Sequence, residues 1–233
     1  MSKERDVIIA CDFPDAEQTL EFLDKFTGKK PFVKIGMELY YAAGPQIVKQ
    51  IKDRGHKIFL DLKLHDIPNT VMRAMSVLSE LGVDITNLHS AGGSEMMKAA
   101  VKGLTKPDDT RPLLIGVTML TSISEEMMKE EILIDSKLDE VVVSYAQNCK
   151  NSGLNGIVCS PLEVGKVKSV LGDSFLTITP GIRFADGEVG DQSRVTTPEK
   201  AKALGSDYIV VGRPITQAKD PVAAYERCLA EFI

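Results

Sequence analysis

The chain has 233 residues, 43% of them hydrophobic, and carries a formal net charge of −5. That is enough apolar material for a large core, in one α/β domain or two small ones, while the acidic balance argues against a general nucleic-acid binder. No apolar run reaches the roughly eighteen residues of a membrane span, and the charged start Met1-Ser-Lys-Glu-Arg-Asp6 is unlike a signal peptide, so a cytoplasmic protein is expected.

In chain order, strand and helix patterns alternate. Val7–Cys11 reads as a buried strand ending at Asp12, and Pro14 and Asp15 open a helix with Leu20 and Leu23 inward. Phe32–Gly36 is the second strand, followed by a helix from Pro45 to Lys52. The third strand starts at Ile58 and acquires charge at its end, in Asp61-Leu-Lys63-Leu-His-Asp66. Pro68, Asn69 and Thr70 then open a helix with Val71, Met75, Leu78 and Leu81 at helical spacing. Asp84–His89 is the fourth strand, with a Gly92-Gly93 turn and a helix through Val101 behind it. Leu113–Val117 is the fifth, followed by a longer connection with Thr121-Ser122 and a helix carrying Leu138, Val141, Val142, Tyr145 and Cys149. Gly156–Cys159, Leu176–Thr179 and Tyr208–Val211 complete the strands.

Eight short apolar strands separated by amphipathic helices imply a parallel sheet with helical crossovers. In about 230 residues they fit one closed (β/α)8 TIM barrel, expected as a single domain over residues 1–233. An open doubly wound sheet is the alternative, but it would usually carry a glycine fingerprint after strand one, and Cys11-Asp-Phe-Pro14 has none. Cys11, Cys149, Cys159 and Cys228 form no Cys-x-x-Cys pair, and His56, His65 and His89 lack zinc-site spacing with them. Reduced thiols and no structural metal are expected.

A barrel of this kind does its chemistry at the carboxyl ends of its strands. Gathered there are Asp12, Lys34, Asp61, Lys63, His89, Thr118 or Thr121, Ser160, Thr179 and Gly212-Arg213. Asp61 and Lys63, two apart, point to one side of a strand. By themselves they could be a structural ion pair, yet so many charged groups at one rim exceed what packing requires. Gly212-Arg213 before a helix start suits a phosphate, although a solvated helix Arg would read the same way. The loop from Thr179 to Arg194 is long enough to be a lid. Met72, Met75, Met96, Met97, Met127 and Met128 read as helix packing or surface.

Asp61-Leu-Lys63-Leu-His-Asp66-Ile-Pro-Asn-Thr70, then Pro180-Gly-Ile-Arg183, Gly190-Asp-Gln192-Ser-Arg194 and Val211-Gly212-Arg213-Pro-Ile215 resemble the orotidine 5′-phosphate decarboxylase family. The match runs in order from Asp12 to Arg213; its first motif is highly specific, whereas Val-Gly-Arg also occurs in other phosphate-binding barrels. The resemblance implies formation of UMP from orotidine 5′-phosphate by a homodimer using neither metal nor organic cofactor. Lys63 would protonate C6, within a charge array also holding Lys34, Asp61 and Asp66. Asp66 and Thr70 would reach the partner subunit's site. Asp12 and Lys34 would hold ribose hydroxyls and Thr121 the pyrimidine edge. Gln192 would link phosphate to base, with Arg183, Gly212 and Arg213 at the phosphate and lid, and Pro180 would also bind substrate. His65 and His89 are expected in supporting positions. Two other readings remain. One is a magnesium-dependent sugar-phosphate decarboxylase or aldolase of the same superfamily, which shares Asp-x-Lys-x-x-Asp. The other is a non-catalytic phosphate-binding barrel.

Overall fold

In the computed structural model, which describes residues 5–186 and 195–233, eight parallel strands close into a barrel in sequence order. They are β1 (Asp6–Ala10), β2 (Phe32–Gly36), β3 (Ile58–Leu64), β4 (Ile85–His89), β5 (Leu113–Val117), β6 (Gly156–Val158), β7 (Leu176–Thr179) and β8 (Tyr208–Val211). Closure is made where β8 pairs with β1, Ile8 standing opposite Val210. A closed barrel leaves no edge strand to protect.

The strands are apolar on both faces because both are buried. Ile8, Phe32, Phe59, Ile85, Ile115 and Ile178 fill the barrel's inside. The alternate residues, among them Ile9, Val33, Leu60 and Leu114, pack outward against the helices. This two-residue alternation continues upward, so Lys34, Asp61 and Asn87 are inward positions above Phe32, Phe59 and Ile85.

The helices are α1 (Ala16–Asp24), α2 (Met37–Ala43), α3 (Gln46–Asp53), α4 (Pro68–Ser79), α5 (Gly93–Leu104), α6 (Glu125–Glu130), α7 (Leu138–Asn151), α8 (Val164–Leu171), α9 (Pro198–Leu204), α10 (Arg213–Thr216) and α11 (Pro221–Phe232). Several begin where a side chain satisfies a free N–H. Asp15 accepts from Gln18, Ser124 from Met127, Thr197 from Lys200 and Asp220 from Ala223. Prolines in the first turns of α4, α9 and α11 sit where no N–H is needed. α4 and α5 pack tightly because Gly103 faces the Met72 carbonyl, into which a Cβ would run. At the barrel's foot Lys168 reaches the fully buried Asp207 at 2.6 Å, and Thr177 adds its N–H and hydroxyl to the same carboxylate oxygen. A buried charge is tolerable only with partners like these.

The TIM barrel expected from the alternation is the fold found. β1 ends a residue before Cys11, β4 begins after Asp84, β6 stops before Cys159, and α5 runs past Val101 to Leu104. α2 and α6 are additional. α2 follows β2 directly, has no side-chain cap and buries only Leu39; α6 is six residues long and buries only Met128. Neither leaves a helical stripe in the sequence. Met75, Met96, Met97 and Met128 are buried in the shell between strands and helices.

Candidate active site

The apolar filling of the barrel stops at its carboxyl end, where a cavity of about 160 Å³ opens. Its floor is Phe59, Val117, Val158, Ile178 and Val210, and its polar wall is Lys34, Asp61, Lys63 and Thr121, with Pro180 beside them. Charge set against an apolar floor interacts more strongly than it would in water.

Three side chains form a row of alternating sign. Asp61 Oδ1 accepts from Lys63 Nζ at 2.7 Å, its Oδ2 lies 3.5 Å from Lys34 Nζ, and Lys34 Nζ donates to Asp12 Oδ1 at 2.9 Å, which extends the row to four. Burial alone would push the Asp61 carboxyl up; Lys34, then Lys63, overcome it and hold the group below the usual carboxylate range. Lys34 is the mirror case. Burial would pull its ammonium down, and Asp61 and Asp12 hold it above the ordinary lysine value. Asp61 and Lys34 therefore each stay charged because of their neighbours. Gly36 leaves room at this point, since a Cβ there would sit 3.1 Å from Asp12 Oδ1 and 3.3 Å from Lys34 Nζ.

Lys63 reaches this row from an unusual backbone. Its φ is +52°, in the left-handed region that costs a non-glycine residue on the order of 1–3 kcal/mol and persists only where surroundings enforce it. The cause is a break in register. Leu60 pairs with Thr86 and Leu64 with Leu88, so Asp61, Leu62 and Lys63 together face Asn87 alone. The Asn87 side chain fills the gap: its Oδ1 accepts from the Lys63 N–H at 2.8 Å, and its Nδ2 donates to Asp61 Oδ1 at 2.6 Å. Asn87 is fully buried. It is absent from the rim residues gathered from the sequence, although the alternation from Ile85 to His89 makes it an inward position.

The other expected site residues divide into three groups. Thr121 and Pro180 line the cavity with the charged row. Asp66 and Thr70 lie on the exposed rim, where Asp66 accepts from the N–H of Ile67 at 2.6 Å and Thr70 sits in the first turn of α4. Within one chain the structure does not bring them to the row. Gly212 precedes α10 and accepts from the Ile215 and Thr216 N–H groups at 2.8 and 3.0 Å; Arg213, the first residue of α10, is exposed.

The foot of the loop after β7 is tied. Ile182 bridges to Thr196, and the Arg183 N–H donates to the Thr196 carbonyl at 2.9 Å. Arg227 of α11 holds the ascending arm, with its guanidinium 4.2 Å from the Phe184 ring centroid and 3.1 Å from Asp186 Oδ1. Gln192 lies outside the described residues.

Thr118, Ser160 and Thr179 bond the scaffold. Thr118 donates to the Val158 carbonyl, Ser160 caps the turn at Pro161–Glu163, and Thr179 bonds Ser206 and the Tyr208 carbonyl. His65 and His89 lie ring to ring beside the row, with centroids 5.6 Å apart and planes tilted by 41°. Burial, then His65 and Lys63, pull the His89 imidazole below its usual range.

No group of three His, Cys, Asp or Glu side chains among the described residues is arranged to hold a metal ion. Nor is any described helix long and apolar enough to cross a membrane.

Comparison with known proteins gives concordant results. The model of the Orotidine 5′-phosphate decarboxylase / HUMPS family matches residues 5–228. An orotidine 5′-phosphate decarboxylase of Streptococcus thermophilus is 58% identical over 231 residues, covering 99% of this chain and 98% of that one. One from Bacillus cytotoxicus is 56% identical over 229 residues, covering 97% and 95%. The crystal structure of orotidine 5′-phosphate decarboxylase from Lactobacillus acidophilus superposes with a TM-score of 0.87 at 46% identity, covering 98% of this chain and 99% of that one.

Proposed function

The chain belongs to the Orotidine 5′-phosphate decarboxylase / HUMPS family, and from that premise we infer that its rim cavity converts orotidine 5′-phosphate to UMP and CO2. The observation that carries this reading is the row Lys34–Asp61–Lys63 standing over an apolar floor.

When the bond from C6 to the carboxylate breaks, its electron pair stays on a ring carbon that has no ordinary electron sink. An ammonium fixed beside that carbon stabilises the charge as it develops, because it needs no reorganisation at that moment. Lys63 is that group. It then gives C6 a proton, CO2 leaves, and the amine is recharged from solvent. Proton transfer by itself contributes about 10²–10⁴-fold. The rest comes from the preorganised row and from binding energy gained away from C6. Asp61 keeps Lys63 aimed, and Lys34 keeps Asp61 ionised.

Asp12 and Lys34 hold the ribose hydroxyls, and Thr121 reads the pyrimidine edge. Pro180 lines the substrate cavity, and Arg183, Gly212 and Arg213 take the phosphate together with Gln192, whose loop closes over it. Asp66 and Thr70 serve the partner's site in a homodimer. Their exposed position and the neighbouring apolar Ile67, 67% exposed, support that assignment. The four buried cysteines, which form no disulfide, fit a cytoplasmic location.

Incubating the purified protein with orotidine 5′-phosphate, with and without EDTA, tests the reading. UMP should form equally in both. Loss of UMP formation in EDTA would contradict the metal-free route, and no UMP in either would favour the sugar-phosphate or the non-catalytic reading.

A further inference from the structure

Asn87 stands opposite the three residues Asp61, Leu62 and Lys63, where the ladder between β3 and β4 loses register. Such a break orphans backbone groups, and buried N–H groups must find partners. The Lys63 N–H finds Asn87 Oδ1 at 2.8 Å, while the other end of the same carboxamide donates to Asp61 Oδ1 at 2.6 Å.

Only one orientation of the amide works. Turned over, it would set NH2 against an N–H and oxygen against a carboxylate. Asp could accept but not donate, and Leu could do neither. Asn87 is fully buried and does not line the cavity, so neither exposure nor substrate contact accounts for an amide at this position. Both of its bonds end on the two residues whose charges meet at 2.7 Å.

We propose that Asn87 is the positioning residue of the Asp61–Lys63 pair: it holds the left-handed backbone that delivers the Lys63 ammonium and turns the carboxylate that aims it. The catalytic side of this proposal rests on the decarboxylase reading; the geometric side does not. The other titratable groups around Asp61 are Lys34 from β2, with Asp12 of the β1 end behind it, Lys63 on the same strand and His89 on β4. Substitution of Asn87 leaves all of them in place.

Asn87→Ala is examined first. A reacting group displaced by about an ångström costs roughly a hundredfold in rate, and kcat for orotidine 5′-phosphate should fall by about that factor. The affinity for UMP should change less than threefold, because the groups proposed to hold ribose, base and phosphate are left in place. Asn87 helps to hold the Asp61 carboxyl down, so the acid limb of kcat should also move to higher pH. In the crystal structure of the variant, Lys63 should leave the left-handed region or its Nζ should leave Asp61. If Asn87→Ala does not fold, Asn87→Leu carries the same kinetic and structural readings, since it fills the space and removes both the acceptor and the donor without adding a charge.

Unchanged Lys63 and Asp61 geometry, with kcat within threefold of wild type and an unmoved acid limb, would overturn the proposal. A fall in activity with UMP affinity lost in proportion and no pH shift would overturn it too, as damage to the fold alone. A wild type that makes no UMP would defeat the decarboxylase reading, and the variant's crystal structure would still decide the role of Asn87 in holding the pair.

Discussion

Lys34 and Asp61, on neighbouring strands, hold opposite charges 3.5 Å apart at the top of the barrel's inner face. The same ammonium donates to Asp12 at 2.9 Å, so removing it leaves two carboxylates turned toward one vacated space. Lys34→Ala should therefore lower kcat/KM by about 10²-fold or more, the usual scale for deleting a preorganised charge. The Asp61 carboxyl is held down chiefly by Lys34 against the upward push of burial. Without that lysine it should rise, and the acid limb of the rate profile should move to higher pH. A pH–rate profile unchanged in shape would show that Asp61 does not depend on Lys34.

Arg213 lies 150 positions beyond Lys63 in the chain, and Gln192 falls between β7 and α9 in sequence, within the stretch expected to be a lid. If phosphate binding closes that loop and closure completes the site, losing either contact should slow the chemistry as well as weaken affinity. A charge-assisted contact contributes about 1.5–3 kcal/mol, or roughly 10–100-fold. Arg213→Ala and Gln192→Ala should each lower kcat/KM by at least that factor, and together by more. Added phosphite should partly restore turnover of a substrate lacking its phosphate in the wild type. Absence of any phosphite effect would mean that the phosphate contacts only hold the substrate.

If two chains pair and share their sites as proposed, Asp66 offers a test. Lys63→Ala and Asp66→Ala homodimers, each inactive, should regain activity when mixed under conditions of subunit exchange. In a mixed dimer, the site built around the intact Lys63 receives its Asp66 from the other subunit. No recovered activity, with exchange verified independently, would place Asp66 in its own chain's site or outside catalysis.

Much of the site was legible because charge interrupts an apolar pattern. Asp61 and Lys63 stand out at the end of a buried strand, and two-residue periodicity puts them on one side, where the structure joins them at 2.7 Å. Other features were not legible, for reasons that differ from one to the next. Nothing in Leu62-Lys63-Leu64 announces a left-handed lysine; the cause is a register break against β4. Asn87 looks like an ordinary strand residue until the bulge it serves is in view. Thr118, Ser160 and Thr179 looked available at the rim, but hydroxyls can equally bond nearby backbone, and these do. The helices α2 and α6 were missed because each buries a single side chain.

Stability should depend on pH through His56. Burial, offset only in part by the bond from Nδ1 to the Pro31 carbonyl at 2.9 Å, pulls this imidazole below its usual range. The unfolded chain takes up the proton near pH 6.5, while the folded one resists it to lower pH. The contribution is thus whole above that value and is lost as pH falls through it. Tm should drop from pH 7.5 to pH 5, and His56→Gln should show a smaller drop whatever its absolute Tm. Equal drops would assign the acid sensitivity to other groups.

Release of CO2 from carboxyl-labelled orotidine 5′-phosphate, compared between wild type and Lys63→Ala, tests the central role of Lys63 most directly. Binding of UMP to both proteins should be followed in parallel. Wild type should release CO2 and form UMP in equal amounts. Lys63→Ala should fold and bind UMP yet lose at least 10⁴-fold in kcat, the upper range for deleting a proton donor, because it also removes the charge beside C6. Decarboxylation by the variant within tenfold of wild type would contradict the role of Lys63 as the acid that receives the developing charge.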